Sequence, residues 1–220
     1  MAGVSKSLMI DAAATRWAPE NRADLPLVVL LHGYGADEHD LFGLASYLPA
    51  GIAVAAVAAP LSPPWPMPGR SWYPLDGPDG RHGGAVTAAA HALLDWLDTA
   101  AAEAPKIALL GFSQGAAVSL QALRLQPERF GAVVALSGYA SPDALPDDES
   151  LRELRPRVFW GRGTNDDVIP APLIDHTAQW LPDHSDLTGR VYPGLTHSIS
   201  EEELGDVRVF LQKWLDDSAA

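Results

Sequence analysis

Short apolar runs alternate along the chain with segments in which apolar residues recur every three or four positions. The runs are typical of buried strands and lie at 25–33, 52–57, 106–111, 131–138, 157–161 and 189–194. The periodic segments predict amphipathic helices and lie at 41–48, 86–97, 115–125, 172–181 and 204–215. Strands that alternate with helices predict parallel βαβ units in a doubly wound α/β sheet. In such a sheet, ligands bind outside the carboxyl ends of the strands.

One segment breaks this pattern, residues 60–83, PLSPPWPMPGRSWYPLDGPDGRHG. Its proline and glycine content argues against a helix or a central strand. A loop of this length is usually functional or disordered, and its large apolar side chains argue against disorder. Four of these side chains are candidates for contact with a substrate: Trp65, Met67, Trp72 and Tyr73. The alternative is that they only pin the loop to the body of the protein.

Length and composition narrow the class of protein. A chain of 220 residues without an internal repeat or linker suits a single α/β domain over 1–220. The formal net charge of −13 argues against binding to nucleic acid or anionic lipid. The chain has no cysteine, which excludes disulfides, thiolate nucleophiles and zinc held by cysteine. The first two dozen residues do not resemble a signal peptide, and no apolar run approaches the roughly 18 residues of a membrane span. We therefore expect a cytoplasmic protein without stable membrane insertion, and a homodimer is left open.

The stretch LLGFSQGAA, residues 109–117, contains the pattern G-x-S-x-G around Ser113. By itself this pattern arises by accident in about one chain in ten of this length. Here a predicted strand precedes the serine and a predicted helix follows it, which is the context of a nucleophile elbow. The sequence therefore makes Ser113 a candidate nucleophile.

A serine nucleophile needs a base and a carboxylate that orients the base. His197 lies between the last predicted strand and the last helix, so it emerges at the same sheet edge as Ser113. Asp166 and Asp167 follow the strand at 157–161, and the pattern alone leaves open which of them points inward. The chain order serine, aspartate, histidine is typical of α/β-hydrolases.

An oxyanion hole is the fourth requirement of this chemistry. The glycines of HGYG, residues 32–35, follow an early strand and let backbone N–H groups turn toward the site. A second donor is the N–H that follows the nucleophile, on Gln114.

Five stretches in this order, LLHGYGADEHDL, GRSWYPLD, LLGFSQGAAVSL, GTNDDVIP and YPGLTHSIS, resemble the motifs of the phospholipase/carboxylesterase family of α/β-hydrolases. The resemblance runs from about residue 26 to about residue 215. The family includes acyl-protein thioesterases and small carboxylesterases. It implies a catalytic triad of Ser113, Asp166 and His197, because the family's aspartate lies four residues before the proline that is here Pro170. It also implies an oxyanion hole formed by the backbone N–H groups of Tyr34 and Gln114.

The leading hypothesis is a serine hydrolase that cleaves small-molecule esters of short to medium acyl chains through an acyl-enzyme. Thioester hydrolysis, including protein deacylation, needs the same residues, and lysophospholipid cleavage needs a longer apolar groove. A non-catalytic binding protein on a hydrolase fold is a further alternative. No metal or cofactor is expected, since the chain has no H-E-x-x-H, P-loop or dinucleotide motif. Only about twenty residues separate the strands at 131–138 and 157–161, too few for a helical cap domain.

Overall fold

The computed structural model describes residues 8–22, 24–75 and 83–217. Within these ranges the chain forms one seven-stranded sheet with the strand order β1-β3-β2-β4-β5-β6-β7. The strands are β1 (Arg16–Ala18), β2 (Leu27–Leu31), β3 (Ala53–Val57), β4 (Ile107–Phe112), β5 (Phe130–Leu136), β6 (Arg157–Gly163) and β7 (Asp186–Tyr192). The α-helices are α1 (Gly83–Ala100), α2 (Gln114–Leu125), α3 (Asp148–Leu154), α4 (Ala171–His184) and α5 (Glu201–Asp216).

The sheet confirms the prediction of a mostly parallel, doubly wound architecture. Strands β2 to β7 pair in parallel, and only β1 runs antiparallel, beside β3. The six parallel strands are those that the apolar runs predict. Strand β1 was not predicted, because three half-exposed residues are too few to show an alternating pattern.

Helices cover both faces of the sheet, and each face has its own apolar core. On one face, side chains such as Leu93 of α1 and Val118 of α2 pack on the sheet. On the other face, Val207 and Trp214 of α5 pack together with Leu41. The carboxyl ends of the parallel strands therefore meet at one open edge between these layers, where the predicted site residues lie.

Three local expectations were wrong or incomplete. Residues Leu41–Tyr47 form a 3₁₀-helix rather than an α-helix. The spacing within 172–181 predicts that Ile174, Ala178 and Leu181 face inward, but Ala178 is exposed. The adjacent Thr177 is buried instead, and its hydroxyl accepts a hydrogen bond from the Ala140 N–H at 2.9 Å. The polar residues around His184 predict a surface position, but the side chain is buried, and its ring stacks on Trp180 with the centroids 4.1 Å apart. As predicted, the segment between β5 and β6 contains no cap domain, only the short helix α3.

Candidate active site

Ser113 occupies the turn between β4 and α2, as the motif predicts. Its backbone has φ 55° and ψ −114°, a left-handed conformation that is unfavourable for any residue with a side chain. The Ser113 N–H donates to the Leu136 carbonyl at 2.9 Å, which ties the turn to the end of β5. Ser113 directly precedes α2, so its hydroxyl lies at the positive end of the helix dipole.

The two glycines of the motif are required by close backbone contacts. A Cβ at Gly111 would collide with the Gly115 carbonyl, and a Cβ at Gly115 would collide with the Leu31 carbonyl. Helix α2 thus crosses β4 and β2 at a distance that only glycine permits. This close crossing holds the strained serine in place.

Ser113, His197 and Asp166 form one hydrogen-bonded chain. The His197 Nε2 atom lies 2.8 Å from the Ser113 Oγ atom. On the other side of the ring, His197 Nδ1 lies 2.8 Å from Asp166 Oδ2. Ser113 lies in the turn after β4, Asp166 in the loop after β6, and His197 in the loop after β7. This is the arrangement in which an imidazole can accept a serine proton while a carboxylate stabilises its charge.

Of the two adjacent aspartates, the structure turns Asp166 inward and leaves Asp167 exposed. Asp166 Oδ1 accepts hydrogen bonds from the backbone N–H groups of Val168 at 3.0 Å and Ile169 at 3.3 Å. Burial alone would raise the pKa of the Asp166 carboxyl, but hydrogen bonds from His197 and these two N–H groups hold it below the usual aspartate value. Asp166 is therefore ionised at neutral pH beside the imidazole.

The loops that carry Asp166 and His197 are tied together. The Asn165 N–H donates to the Leu195 carbonyl at 2.9 Å, and the Gly194 N–H donates to the Thr164 hydroxyl at 2.8 Å. A Cβ at Gly163 would collide with the Leu195 carbonyl. The aspartate and the histidine are therefore positioned as one unit rather than as two independent loops.

The two backbone groups expected to form an oxyanion hole lie beside Ser113. Tyr34 and Gln114 both line the cavity that contains Ser113 and His197. Within the described part of the chain, neither the Tyr34 N–H nor the Gln114 N–H donates a hydrogen bond. Both N–H groups are therefore available as hydrogen-bond donors beside this cavity.

The cavity over the triad has a volume of about 210 Å³. Its wall is mainly apolar and aromatic, with one exposed carboxylate, that of Asp40. The lining residues besides the triad serine and histidine are Gly33, Tyr34, Ala36, Asp40, Tyr73, Leu75, Phe112, Gln114, Tyr139, Val168 and Ile169. The cavity is smaller than the roughly 300–1,000 Å³ of most drug-sized ligand pockets.

Of the four aromatic and sulfur side chains proposed for substrate contact, only Tyr73 lines this cavity. Trp72 is fully buried, and its indole N–H donates to the His32 carbonyl at 2.8 Å. Trp65 is 92% exposed, and Met67 is half exposed beside Gly35. We correct the expectation for Trp65, Met67 and Trp72 accordingly. Residues 76–82 of the same loop lie outside the described ranges.

Sequence reasoning missed two side chains of the site. Phe112 packs against the His197 ring, with the centroids 4.9 Å apart, and so restricts the imidazole. Tyr139 lines the cavity, and its hydroxyl lies 2.8 Å from that of Tyr73. Tyr139 follows β5 at the carboxyl end of the sheet, so the rule that located His197 and Asp166 could have located it too.

In the described ranges, one group of side chains has the spacing of metal ligands: Asp37, Glu38 and His39, with ligand atoms within 4.8 Å of one another. Asp37 accepts hydrogen bonds from the His39 N–H at 2.9 Å and its ring at 3.2 Å. Glu38 lies 3.5 Å from Arg70. Asp37 is thus hydrogen-bonded to His39, and Glu38 forms an ion pair with Arg70, all outside the triad.

A buried carboxyl group lies behind the histidine loop. Glu203, in the first turn of α5, is 0% exposed, and neither of its carboxyl oxygens has a hydrogen-bond partner in the described structure. Burial and the nearby Asp206 charge raise the pKa of Glu203 to about 7, although the backbone at Ser200 acts in the opposite direction. The carboxyl group packs against Gly161, where a Cβ would collide with it.

We expect Glu203→Gln to stabilise the protein at pH 8 by about 1–3 kcal/mol and to have little effect at pH 5. The folded protein binds the Glu203 proton more tightly than the unfolded chain, whose pKa is near 4.5. The free energy of unfolding therefore falls as the pH rises from about 4.5 to about 7 and beyond. In Glu203→Gln the amide does not ionise, so this decrease in stability is absent. Urea unfolding at pH 5 and pH 8 measures the free energy of unfolding of each variant, with the exposed Glu202→Gln as the matched control. Equal pH dependence in both variants would contradict a buried, protonated Glu203.

The chain is similar to proteins of known family and structure. The family model described as Phospholipase/Carboxylesterase matches residues 16–215. Acyl-protein thioesterase 1 of Debaryomyces hansenii is 38% identical over 111 residues, which cover 49% of this chain and 48% of that protein. The Saccharomyces cerevisiae protein of the same name is 34% identical over 114 residues, 50% of each chain. The matched region thus spans about half the length of these curated relatives.

Solved structures match a larger part of this chain than the curated relatives do. The crystal structure of esterase PE8 has a TM-score of 0.75 and 28% identity, and the match covers 93% of this chain and 99% of that one. A carboxylesterase from Mesorhizobium loti has a TM-score of 0.78 at 19% identity, with coverage of 94% and 99%. The second likeness concerns the fold alone, and both confirm an α/β-hydrolase fold.

Proposed function

This chain belongs to the phospholipase/carboxylesterase family, and on that premise we propose that it is a serine hydrolase that cleaves carboxylic esters through an acyl-enzyme. The observation that carries the proposal is the hydrogen-bonded chain from Asp166 through His197 to Ser113. Turnover of aryl esters by the wild type, together with labelling of Ser113 by a fluorophosphonate, tests it. Failure of both would contradict a serine hydrolase.

In the acylation step, the Ser113 Oγ atom attacks the ester carbonyl carbon while His197 Nε2 accepts the serine proton. The electron pair of the carbonyl moves to its oxygen, which accepts hydrogen bonds from the N–H groups of Tyr34 and Gln114. As the carbonyl reforms, the alcohol leaves and takes the proton from His197 Nε2. The product is an ester between the acyl group and Ser113.

In the deacylation step, water attacks the acyl carbonyl while His197 Nε2 accepts a proton from the water. The oxyanion again binds the two backbone N–H groups. Collapse of the intermediate releases the carboxylic acid and returns the proton to Ser113 Oγ. Asp166 stays ionised throughout and stabilises the imidazolium that forms in both steps.

The size of the cavity supports short to medium acyl chains as substrates. Leu75, Phe112 and Ile169 offer apolar contacts, and each buried methylene of a substrate contributes about 0.8 kcal/mol. That gain ends when the chain outgrows about 210 Å³ of space. Tyr73 and Tyr139, joined by their hydroxyls, add a polar element to this wall.

We expect kcat/KM to rise from acetyl esters to butyryl through octanoyl esters and then to decline. Tyr73→Leu should move the optimum toward longer chains, because it removes a ring and a hydroxyl from the cavity wall. Trp65→Ala is the matched control from the same loop and should leave the profile unchanged, since its side chain is exposed away from the cavity lining. A steady rise through palmitoyl esters would contradict the short cavity and favour a lysophospholipase or a long-chain deacylase.

Thioester hydrolysis is the second candidate, because the relatives matched in yeasts are named acyl-protein thioesterase 1. Ester and thioester pass through the same acyl-Ser113 and differ only in the leaving group. Rates for an oxygen ester and a thioester of the same octanoyl chain discriminate between the two. Thioester hydrolysis would be the main activity if kcat/KM for the thioester exceeded that for the ester by more than about tenfold. Such a ratio corresponds to about 1.4 kcal/mol of additional transition-state stabilisation.

The partner we propose is a small ester or thioester rather than nucleic acid, given a net charge of −13. None of the helices in the described ranges is long and apolar enough to cross a bilayer. We propose a single hydrolase domain over 1–220 that works in the cytoplasm, and a homodimer is left open.

A further inference from the structure

We propose that His32 is a positioning residue for the oxyanion hole: its imidazole fixes the direction of the Tyr34 N–H. The proposal rests on the serine hydrolase function proposed above, because it concerns the same site. His32 is 1% exposed and directly precedes the Gly33–Tyr34 peptide at the end of β2.

The contacts of the His32 ring determine which nitrogen carries the proton. The Ala59 N–H points at His32 Nε2 over 3.2 Å, and a backbone N–H can only donate. His32 Nε2 is therefore the acceptor, and the ring proton lies on Nδ1. His32 Nδ1 then donates to the Gly33 carbonyl oxygen, 2.7 Å away. The longer contact from the Ala36 N–H, at 3.3 Å, is made to the same oxygen.

This hydrogen bond orients the neighbouring N–H through the planarity of the peptide bond. The Gly33 carbonyl and the Tyr34 N–H belong to one peptide unit, which is trans and planar. In such a unit, the C=O and N–H bonds point in opposite directions. Because the Gly33 oxygen is held toward the imidazole, the Tyr34 N–H is directed away from it, and Tyr34 lines the cavity with Ser113.

A second set of contacts links His32 to the other proposed oxyanion donor. The His32 carbonyl accepts the hydrogen bond from Trp72 Nε1 at 2.8 Å. The Trp72 backbone N–H donates in turn to Gln114 Oε1 at 2.7 Å. The side chain of Gln114 is buried, while its backbone N–H is the second donor. The two donors are thus braced against each other through Trp72 and His32.

The arrangement requires a neutral imidazole, since a proton on Nε2 would meet the Ala59 N–H. Burial lowers the pKa of the His32 imidazole below the usual histidine value, against the opposing influence of Gly33 and of the acidic side chains at 37, 38 and 40. Each hydrogen bond described above involves at least one backbone group.

Two amide substitutions separate the roles of the two ring nitrogens. In His32→Asn the amide nitrogen lies near the position of Nδ1 and can still donate to the Gly33 carbonyl. In His32→Gln the amide lies near the position of Nε2, so it can accept a hydrogen bond from the Ala59 N–H but cannot donate one to the Gly33 carbonyl. The exposed His39→Gln is the matched control from the same segment.

We expect kcat for an aryl butyrate to fall at least tenfold in His32→Gln. Complete loss of one oxyanion donor typically lowers kcat by roughly 10²–10³-fold, which sets the upper end of this effect. In His32→Asn, kcat should fall by less than about fivefold. KM should stay within about threefold in both, because the substrate ground state does not need the oriented N–H. The inhibition constant of an alkyl boronic acid, which forms a tetrahedral adduct with serine, should rise in parallel with the loss of kcat. His39→Gln should match the wild type.

Equal kcat values for the Asn and Gln variants, or a change only in melting temperature, would overturn the positioning role. If His32→Gln does not fold, Trp72→Phe provides the second measurement, because it keeps a ring and removes the Nε1 donor to His32. It should lower kcat and weaken the boronic acid without a matching change in KM, and unchanged values would overturn the proposal. A wild type without turnover dependent on Ser113 would instead contradict the proposed function.

Discussion

Ser113→Ala is expected to lower kcat for ester hydrolysis by about 10⁴- to 10⁶-fold while the protein remains folded. Alanine keeps the Cβ that the turn at φ 55° already accommodates, so no new collision arises. Only the hydroxyl that lies 2.8 Å from His197 Nε2 is lost. Hydrolysis of an aryl butyrate and thermal unfolding together measure both parts of this expectation.

The same helix offers a matched control for this substitution. Ser119 lies fully buried within α2, and its hydroxyl donates to the Gly115 carbonyl at 2.8 Å. Ser119→Ala removes a buried hydroxyl from α2 without touching the triad, so it should keep activity within about threefold of the wild type. Activity of Ser113→Ala within tenfold of the wild type would exclude Ser113 as the nucleophile.

Asp166→Asn is expected to lower kcat by about 10⁴-fold, because it forces the wrong tautomer on His197. The backbone N–H groups of Val168 and Ile169 both need an acceptor at the Oδ1 position. The amide oxygen must occupy that position, so the amide NH₂ faces His197 Nδ1. His197 Nδ1 then becomes the acceptor, its proton moves to Nε2, and Nε2 can no longer take the serine proton.

Asp167→Asn is the matched control, since this neighbour carries the same charge but is exposed. We expect its kcat to stay within about threefold of the wild type. Steady-state kinetics of both variants with one ester suffice for the comparison. A larger loss in Asp167→Asn than in Asp166→Asn would reverse the assignment.

The parallel sheet and the meeting of Ser113, Asp166 and His197 at one sheet edge could be predicted, because both depend on patterns that are local in the sequence. Six buried strands show as apolar runs, and their carboxyl ends determine where Ser113, Asp166 and His197 emerge. Choosing Asp166 over Asp167 needed the family resemblance, because adjacent carboxylates look alike in the sequence. The structure supplies a physical reason, the two backbone N–H groups that only Asp166 reaches.

The side chains that shape the cavity could not be predicted, since their positions depend on long-range hydrogen bonds. A tryptophan in a proline-rich loop looks like a binding residue, but the indole N–H of Trp72 finds a carbonyl 40 residues away, at His32. The role of His32 was also missed, because its partners at Gly33 and Ala59 are backbone atoms that leave no sequence signal. Tertiary contacts likewise decided that Thr177, rather than Ala178, faces inward.

The burial of α2 has a consequence for how different parts of the site fluctuate. All of its residues from Gln114 to Arg124 are buried, so its amides should exchange with deuterium only when the whole molecule unfolds. In the described part of the loop that carries Tyr73, the tip at Trp65 is exposed, whereas Trp72 and Tyr73 are buried and hydrogen-bonded to Gln114. The amides near this exposed tip should exchange through local opening at much lower cost. The nucleophile and the Tyr73 side of the acyl site would then keep fixed positions, while motion is confined to the exposed tip of the loop.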